Sequence, residues 1–194
     1  MKNITVFCGS NSGFRTDYAE AALSLARLFV AQNIRLVYGG GNVGLMGVIA
    51  DEVMRRGGEV VGIIPESLDQ KEVAHRGITE LRVVASMHER KAQMAELADG
   101  FIAMPGGIGT FEEFFEILTW AQLGFHDKPC AILNIAGYYD GLLALCDNAV
   151  AEGFLRPAHR QLILEDSNAE ILLEKMRNLK PLPIEKWIGK EAEL

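Results

Sequence analysis

The chain has 194 residues, 49% of them apolar, which is the size of one domain with a large core. Its 19 basic and 26 acidic residues give a net charge of −7, so it lacks the basic field that a nucleic-acid-binding groove needs. No segment approaches the ~20 apolar residues of a membrane-spanning helix, and the apolar run at the N-terminus is too short for a signal peptide. The 3 cysteines form no CxxC pair, which argues against a zinc or disulfide framework and favours a cytoplasmic protein.

Strand and helix patterns alternate along the sequence. The predicted strands cover residues 4–8, 34–38, 59–64, 79–84, 101–103, 130–135 and 162–164. The predicted helices cover residues 16–32, 45–56, 87–98, 139–152 and 169–179, and one more follows a glycine-rich turn at residues 105–110. Residues 66–77 are predicted to form a polar surface loop, and residues 181–194 a C-terminal tail. The alternation predicts a single α/β domain over residues 1–194, with a Rossmann-like, doubly wound parallel sheet.

The most informative segment is the turn at residues 105–110, Pro-Gly-Gly-Ile-Gly-Thr, which joins a buried strand to a helix. Its glycines let a ligand approach the backbone closely, and the free N–H groups at the start of the helix form an anion site. Glu112 and Glu113 lie beside that site, so an anion-binding site and a carboxylate are adjacent. The spacing Thr110-x-x-Glu113 also matches a capping box, in which both side chains only cap the helix. The spacing alone is compatible with both interpretations.

Other polar or glycine-rich segments follow predicted strands at residues 9–13, 39–47 and 86–91. Ligands of doubly wound sheets bind beyond the carboxyl ends of the strands, where the strand order reverses. If these segments and the 105–113 segment line one crevice, its wall is mostly glycine backbone. Arg90 and Lys91 then supply the cations, and Glu112 and Glu113 the anions. The alternative for Arg90 and Lys91 is a solvated helix start.

The spacing Gly39-x-Gly41-x-x-Gly44 also matches a dinucleotide-binding fingerprint, with Glu66 as the acidic residue that contacts a ribose. This pattern follows the second predicted strand rather than the first. An NAD site would also leave the glycine turn at residues 105–110 unexplained. The fingerprint is therefore the weaker interpretation.

Together these motifs resemble the LONELY GUY (LOG) family over roughly residues 3 to 180. The resemblance rests on the 39–47 segment, Met-His-x-Arg-Lys at residues 87–91, Pro-Gly-Gly-x-Gly-Thr-x-Glu-Glu at 105–113, and the 118–124 segment with Lys128-Pro129. Members are cytokinin riboside 5′-monophosphate phosphoribohydrolases, and bacterial relatives often accept AMP. They hydrolyse the N-glycosidic bond of a nucleoside monophosphate and release free base and ribose 5-phosphate. The resemblance implies no metal or organic cofactor, and a homodimer whose interface completes the site.

The resemblance also implies roles for individual residues. Arg90 and Glu113 match the catalytic pair of the family. Glu72, 18 residues before Arg90, falls where the family has a further substrate-binding glutamate, although the sequence around it differs. The family often has an aromatic residue where this chain has Ile108. The predicted substrate-binding residues are Ser10, Gly41, Glu72, Arg90, Lys91, Gly107, Ile108, Gly109, Thr110, Phe111, Glu112, Glu113 and Thr119.

The chemistry of these residues is consistent with the implied reaction. Breaking a ribose–base bond builds positive charge on the sugar, and a carboxylate such as that of Glu113 can stabilise it or take a proton from water. Arg90 offers a planar fork to phosphate or ribose oxygens. His88 either protonates the leaving base or is a polar residue at a helix start. Cys8, which has no nearby base in sequence, is interpreted as a small buried residue.

Two alternatives belong to other functional classes. A non-catalytic nucleotide-binding or carrier protein of the same fold would keep the glycine segments and lose the carboxylate–arginine pair, which this chain retains. A pyridoxal-phosphate decarboxylase would need a lysine Schiff base, for which Lys91 is the candidate near the crevice. The sequence leaves the preferred base open between plain adenine, a prenylated adenine and another purine.

Overall fold

The predicted sheet is present in the computed structural model, which describes residues 1–69 and 74–180. Its strands are β1 (Asn3–Phe7), β2 (Arg35–Tyr38), β3 (Val60–Pro65), β4 (Glu80–Val84), β5 (Gly100–Ala103), β6 (Cys130–Leu133) and β7 (Ile163–Asp166). Every neighbouring pair is parallel, and the strand order is β4-β3-β2-β1-β5-β6-β7. The predicted α/β fold is confirmed.

Helices connect the strands on both faces of the sheet. They are α1 (Thr16–Ala31), α2 (Gly44–Arg55), α3 (Glu66–Asp69), α4 (Met87–Leu97), α5 (Ile108–Leu123), α6 (Asp140–Ala151), α7 (Pro157–Arg160) and α8 (Ala169–Arg177). The short helices α3 and α7 are absent from the prediction, because a single turn has no apolar repeat to reveal it. The segment predicted as a loop at residues 66–77 therefore begins with a helical turn. The predicted tail at residues 181–194 lies outside the described residues.

The sixth predicted strand is too long at its carboxyl end. Strand β6 ends at Leu133, and a 3₁₀ turn follows at Ile135–Gly137. The side chain of Asn134 causes this exit from the sheet, because its Oδ1 accepts from the Tyr139 N–H at 2.8 Å and its Nδ2 donates to Asp140 at 2.7 Å. Such local side-chain bonds compete with strand pairing.

The core forms two layers, one on each face of the sheet. Successive side chains of a strand point to opposite faces, so Val6 of β1 packs toward α1 and α2 while Phe7 packs toward α4 and α5. Leu25 and Phe29 of α1 are fully buried in the first layer. Met94 of α4 belongs to the second layer. Because both faces are covered, the central strands are apolar along almost their whole length, which is why the sequence predicts them well.

The strand order reverses between β1 and β5. The chain moves outward from β1 through β2, β3 and β4, and then returns to the other side of β1 with β5. In doubly wound sheets a reversal of this kind is where ligands bind, beyond the carboxyl ends of the strands, so the segments after β1 and β5 are the expected ligand site. Met104 N–H donates to the Phe7 carbonyl at 2.9 Å, so the two strand ends stay joined below this site.

Candidate active site

Three glycine-rich segments that the sequence analysis singled out meet at the carboxyl ends of β1, β2 and β5. Gly9 N–H donates to the Pro105 carbonyl at 3.0 Å, and Leu45 N–H donates to the Gly9 carbonyl at 3.0 Å. Gly44 has a φ of +59°, and a Cβ there would overlap the backbone of Ser10, so glycine is required. The segments predicted to line one crevice after these strands therefore contact one another.

Helix α5 begins at Ile108 with Gly107 as its N-cap, and no side chain caps the N-terminus of this helix. The capping-box interpretation is therefore wrong, because Thr110 and Glu113 lie inside the helix. Among the described residues, the backbone N–H groups of residues 107–110 have no hydrogen-bond partner. These donors, at the positive end of the helix dipole, form a site for an anion.

The exposed glycines of this turn do not relieve crowding within the chain. A Cβ at Gly107 or Gly109 would meet nothing within 4 Å, and neither residue has a positive φ. Gly106 differs, because a Cβ there would overlap Oγ1 of Thr110. Glycine at an open position beside free N–H groups suits a ligand that contacts the backbone itself. The two open glycines favour the ligand-binding interpretation of the turn.

A buried ion pair joins α4 to α5 beside these donors. Nη1 of Arg90 lies 2.8 Å from Oε1 of Glu113, and the two side chains are only 9% and 10% exposed. Nε of Arg90 donates to the Ile63 carbonyl at 3.1 Å. A Cβ at Gly39 would overlap Nη2 of Arg90, so the segment that resembles a dinucleotide fingerprint makes room for the guanidinium. The structure thus brings together the two residues predicted to be catalytic.

The start of α4 is fixed by two side-chain caps, from Ser86 and Glu89, that the sequence analysis missed. Oγ of Ser86 accepts from the Glu89 N–H at 3.1 Å, and Oε2 of Glu89 accepts from the Ala85 N–H at 2.9 Å. The spacing Ser86-x-x-Glu89 carries this signal in the sequence. These caps hold the first turn of α4, and with it the backbone of Arg90. His88 lies exposed in the same turn.

Burial sets the ionisation of the pair. Removal from water raises the pKa of Glu113 above that of an ordinary glutamate, and the Arg90 guanidinium opposes part of the rise. Burial also raises the pKa of the Cys8 thiol, and the carboxylate of Glu113 adds to that rise. Cys8 is buried and forms no disulfide, as the sequence predicted. Glu113 is therefore a stronger proton acceptor than an exposed glutamate.

Lys91 lies one residue along from Arg90 but faces the outer part of α5. Its Nζ contacts Oε1 of Glu112 at 2.5 Å and Oε1 of Glu116 at 2.9 Å. Burial alone would lower the pKa of Lys91, but the two carboxylates raise it above its ordinary value. In the free protein Lys91 and Glu112 therefore neutralise each other and tie α4 to α5.

The other predicted substrate-binding residues differ in position. Ser10 is exposed in the segment after β1, and Gly41 is buried in the segment after β2. Ile108, at the first position of α5, is 81% exposed. Phe111 is half-buried in the same helix, where its ring packs edge-on against Tyr139. Ile108 and Phe111 thus lie in the helix whose first N–H groups are free, and Ser10 follows Gly9, which bonds to Pro105 of the glycine turn.

Thr119 lies away from the other predicted substrate-binding residues. Thr119 is exposed, and its Oγ1 donates to the Phe115 carbonyl of α5 at 2.7 Å. At about 1.5 Å per residue, Thr119 lies roughly 13 Å along the helix from Thr110. Glu72 lies outside the described residues. The segment after it is attached to the glycine-rich segment after β2, because Ala74 bridges to Gly41.

In residues 1–69 and 74–180, no group of 3 or more His, Cys, Asp and Glu side chains is arranged to hold a metal ion. None of the helices in this part of the chain is both long and apolar enough to cross a membrane.

Solved structures share this fold. A molybdenum cofactor binding protein from Rippkaea orientalis aligns with a TM-score of 0.68 and 21% identity, over 91% of this chain and 96% of that one. The molybdenum cofactor carrier protein from Chlamydomonas reinhardtii aligns with a TM-score of 0.65 and 16% identity, over 90% and 99% of the two chains. Likeness at such low identity shows the fold alone. The class that fold and site define is a Rossmann-like α/β protein.

Sequence comparisons define the family. Residues 46–176 match a family model described as possible lysine decarboxylase. The chain is 50% identical to the probable cytokinin riboside 5′-monophosphate phosphoribohydrolase LOGL9 of Oryza sativa subsp. japonica, over 94% of this chain and 80% of the relative. It is 48% identical to the cytokinin riboside 5′-monophosphate phosphoribohydrolase LOG1 of Arabidopsis thaliana, over 93% and 85%. The chain therefore belongs to the LOG family, as its motifs predicted.

Proposed function

We propose that this protein is a nucleoside 5′-monophosphate phosphoribohydrolase, which releases a free purine base and ribose 5-phosphate. The observation that carries the proposal is the buried ion pair between Arg90 of α4 and Glu113 of α5, the helix whose first N–H groups are free. The relatives that are about half identical over most of the chain are named for this activity.

The phosphate of the substrate binds at the start of α5, where the N–H groups of residues 107–110 are free. Glu113 lies about 7 Å further along the helix axis from Ile108, at about 1.5 Å per residue. A ribose ring spans this gap, so that C1′ comes to the carboxylate when the 5′-phosphate is at the glycine turn. The spacing between anion site and carboxylate therefore supports a phosphorylated sugar as ligand.

The reaction needs few protein groups. Water oxygen bonds to C1′ while the C1′–N bond of the base breaks. The water proton goes to the Glu113 carboxylate and is then released to solvent, and the leaving base nitrogen takes its proton from solvent. The sugar carries positive charge in the transition state, and the negative carboxylate of Glu113 stabilises it and accepts the proton of the water. Arg90 lies 2.8 Å from that carboxylate, and its positive charge favours the ionised form of Glu113 against the effect of burial. The guanidinium can also donate to a ribose or phosphate oxygen.

The remaining substrate contacts stay part of the proposal. Ser10, Gly41, Ile108 and Phe111 are proposed to contact the substrate near its phosphate, and Lys91 and Glu112 are proposed to contact it from the outer side of α5. Thr119 lies too far along α5 to reach the anion site of its own chain. We propose that in a homodimer it contacts the substrate bound to the partner subunit. Glu72 is proposed as a substrate-binding residue from its position in the sequence.

The large apolar side chains exposed near α4 and α5 support a dimer interface. They are Val83, Met87, Phe115 and Phe125.

A lysine decarboxylase mechanism is not supported by Lys91. A lysine that forms a Schiff base with pyridoxal phosphate needs a lowered pKa so that the amine is neutral. The pKa of Lys91 is instead raised, and its ammonium group is held between Glu112 and Glu116. The residue does not fit the role, so we assign the chain no decarboxylase activity. A cytoplasmic location is proposed from the 3 buried, unpaired cysteines.

Release of free base tests the proposal. AMP and isopentenyladenosine monophosphate are incubated with the protein, with adenosine and isopentenyladenosine as controls, and the base is measured by chromatography. We expect base from the monophosphates and little from the nucleosides, because the nucleosides lack the group that α5 binds. The ratio between the two monophosphates ranks the bases. Binding of AMP without base release would indicate a nucleotide carrier instead.

Gly109→Ala separates ligand binding from stability. We expect it to stabilise the free protein by about 0.5–1 kcal/mol, since alanine is the better helix former, and the methyl group meets open space. The same methyl group would occupy the space that the phosphate needs, so AMP should bind more weakly. Thermal unfolding with and without AMP measures both effects. A variant that binds AMP as tightly as the unaltered protein would show that no ligand approaches Gly109.

A further inference from the structure

Consecutive carbonyls of the glycine turn are each held by a hydrogen bond. The Met104 carbonyl accepts from the Tyr139 hydroxyl at 2.8 Å, and the Pro105 carbonyl accepts from the Gly9 N–H at 3.0 Å. The Gly106 carbonyl accepts from the Tyr138 hydroxyl at 2.5 Å. The tyrosines come from the segment between β6 and α6, which the sequence analysis did not connect with the site.

The bond from Tyr138 sets the direction of an N–H group. A trans peptide is planar, so its C=O and N–H point in opposite directions. Holding the Gly106 carbonyl toward Tyr138 therefore turns the Gly107 N–H away from Tyr138. The bond from Tyr139 has no such effect, because the next residue is Pro105, which has no N–H. Tyr138 is thus the side chain that orients a free donor of the turn.

The peptide between Gly106 and Gly107 needs such a restraint. It has glycine on both sides, and glycine allows backbone rotation that a Cβ would prevent. Rotation of this peptide would replace the N–H with a carbonyl oxygen, which repels a phosphate. Gly107 is exposed, so packing around it does not prevent the rotation.

Tyr138 is itself held in place. Its ring packs edge-on against Tyr18 of α1 with ring centres 5.8 Å apart, and against Tyr139 with centres 5.0 Å apart. The turn before it contains Ala136 at a φ of +53°, a conformation that alanine rarely adopts. The turn thus holds a sparsely populated backbone conformation two residues before Tyr138.

We infer that Tyr138 is a positioning residue for phosphate binding. Its hydroxyl fixes the Gly106–Gly107 peptide so that the Gly107 N–H is available to the 5′-phosphate before the substrate arrives. The identity of the ligand rests on the proposed function. The inference itself concerns the glycine turn and any phosphate monoester that binds there.

Tyr138→Phe tests the inference, with Tyr18→Phe as the matched control. Both variants lose a single phenol hydroxyl, but that of Tyr18 makes no hydrogen bond within the described part of the chain. Tyr138 is 39% exposed, so water can solvate the Gly106 carbonyl in the variant and the protein stays folded. We expect the KM for AMP and the inhibition constant of ribose 5-phosphate to rise about 3- to 10-fold, the loss of roughly one hydrogen bond. The kcat should stay nearly constant, since the phosphate is bound equally in the ground and transition states.

Each outcome decides for or against the role of Tyr138. Unchanged constants for AMP and ribose 5-phosphate would refute it, as would an equal rise in Tyr18→Phe. A fall in melting temperature with unchanged KM would make Tyr138 a merely structural residue. Calorimetric binding of ribose 5-phosphate gives the same test without turnover. A protein that releases no base would therefore overturn the proposed function while still deciding the role of Tyr138.

Discussion

Glu113→Gln is expected to lower the rate of base release from AMP by about 10³-fold or more, while the protein stays folded. The amide keeps the size of the side chain and can still accept a hydrogen bond from Arg90. It carries no negative charge, so it neither stabilises the charged sugar nor accepts a proton from water. The rate of base release and the thermal unfolding curve of the variant measure the two parts of this prediction.

Glu116→Gln is the matched control for this prediction. It makes the same chemical change one turn later on α5, where the carboxylate contacts Lys91 at 2.9 Å rather than Arg90. We expect it to keep most of the activity. Equal losses in both variants would mean that any charge change on α5 is harmful. Full activity in Glu113→Gln would make Glu113 a structural residue.

The pH dependence of the unaltered protein follows from the same burial. Because the pKa of Glu113 is raised in the folded protein, activity should fall with decreasing pH sooner than for an ordinary glutamate. Stability changes in the opposite direction. The folded state holds this proton more tightly than the unfolded state, so the contribution to the free energy of unfolding decreases as pH rises through the raised pKa. Profiles of kcat/KM and urea unfolding, each compared with Glu113→Gln, measure both.

Arg90→Ala is expected to lower the free energy of unfolding by about 3–5 kcal/mol, because removal of one partner leaves a buried charge unpaired. The Glu113 carboxylate and the Ile63 carbonyl both lose their donor. Arg82→Ala is the control, since Arg82 pairs with Glu80 on the surface and such pairs contribute about 0–1 kcal/mol. Urea unfolding measures both variants. A loss in Arg90→Ala no larger than in the control would show that the pair does not stabilise the fold.

Arg90→Lys tests the geometry of the same group. The guanidinium reaches Ile63 through Nε and Glu113 through Nη1, and a single ammonium nitrogen does not reproduce both bonds. We expect turnover to fall about 10²-fold from the misplaced carboxylate, although the charge is conserved. Base release by the lysine variant at wild-type rates would show that charge alone is sufficient.

The sequence predicted the fold well because the central strands are buried on both faces. Runs such as Phe101-Ile102-Ala103 are apolar throughout and are followed within a few residues by proline and glycine, so their limits are visible in the sequence. The exit from β6 was mispredicted, because the two side-chain hydrogen bonds of Asn134 outweigh the apolar character of Ile135. The start of α5 was also misjudged. Thr110-x-x-Glu113 has the spacing of a cap, but the helix begins before it.

The pairings within the site depend on strand order, which no local pattern encodes. Arg90 meets Glu113 because α4 and α5 lie on the same face of the sheet, beside β1. The residues were predicted individually from charge and family resemblance, and their contact required the three-dimensional arrangement. Tyr138 lies 32 residues from Gly106 in sequence, so its role could not be read from the glycine turn. The pairing of Lys91 with two carboxylates was likewise not predictable from its neighbours.

Because Arg90 and Lys91 are both paired with carboxylates, we expect the site to prefer nucleoside monophosphates over di- and triphosphates. Arg90 is neutralised by Glu113, and Lys91 by Glu112 and Glu116, so the attraction for an anion comes mainly from backbone dipoles. Dipoles at one helix end hold a single phosphate group, and they act over the length of about one turn. A nucleoside triphosphate would bring further negative charge toward Glu112 and Glu116, while Arg90 and Lys91 are already paired with carboxylates. The abundant nucleoside di- and triphosphates of a cell would then compete poorly for this site, and we expect the proposed hydrolysis of monophosphates to proceed in their presence.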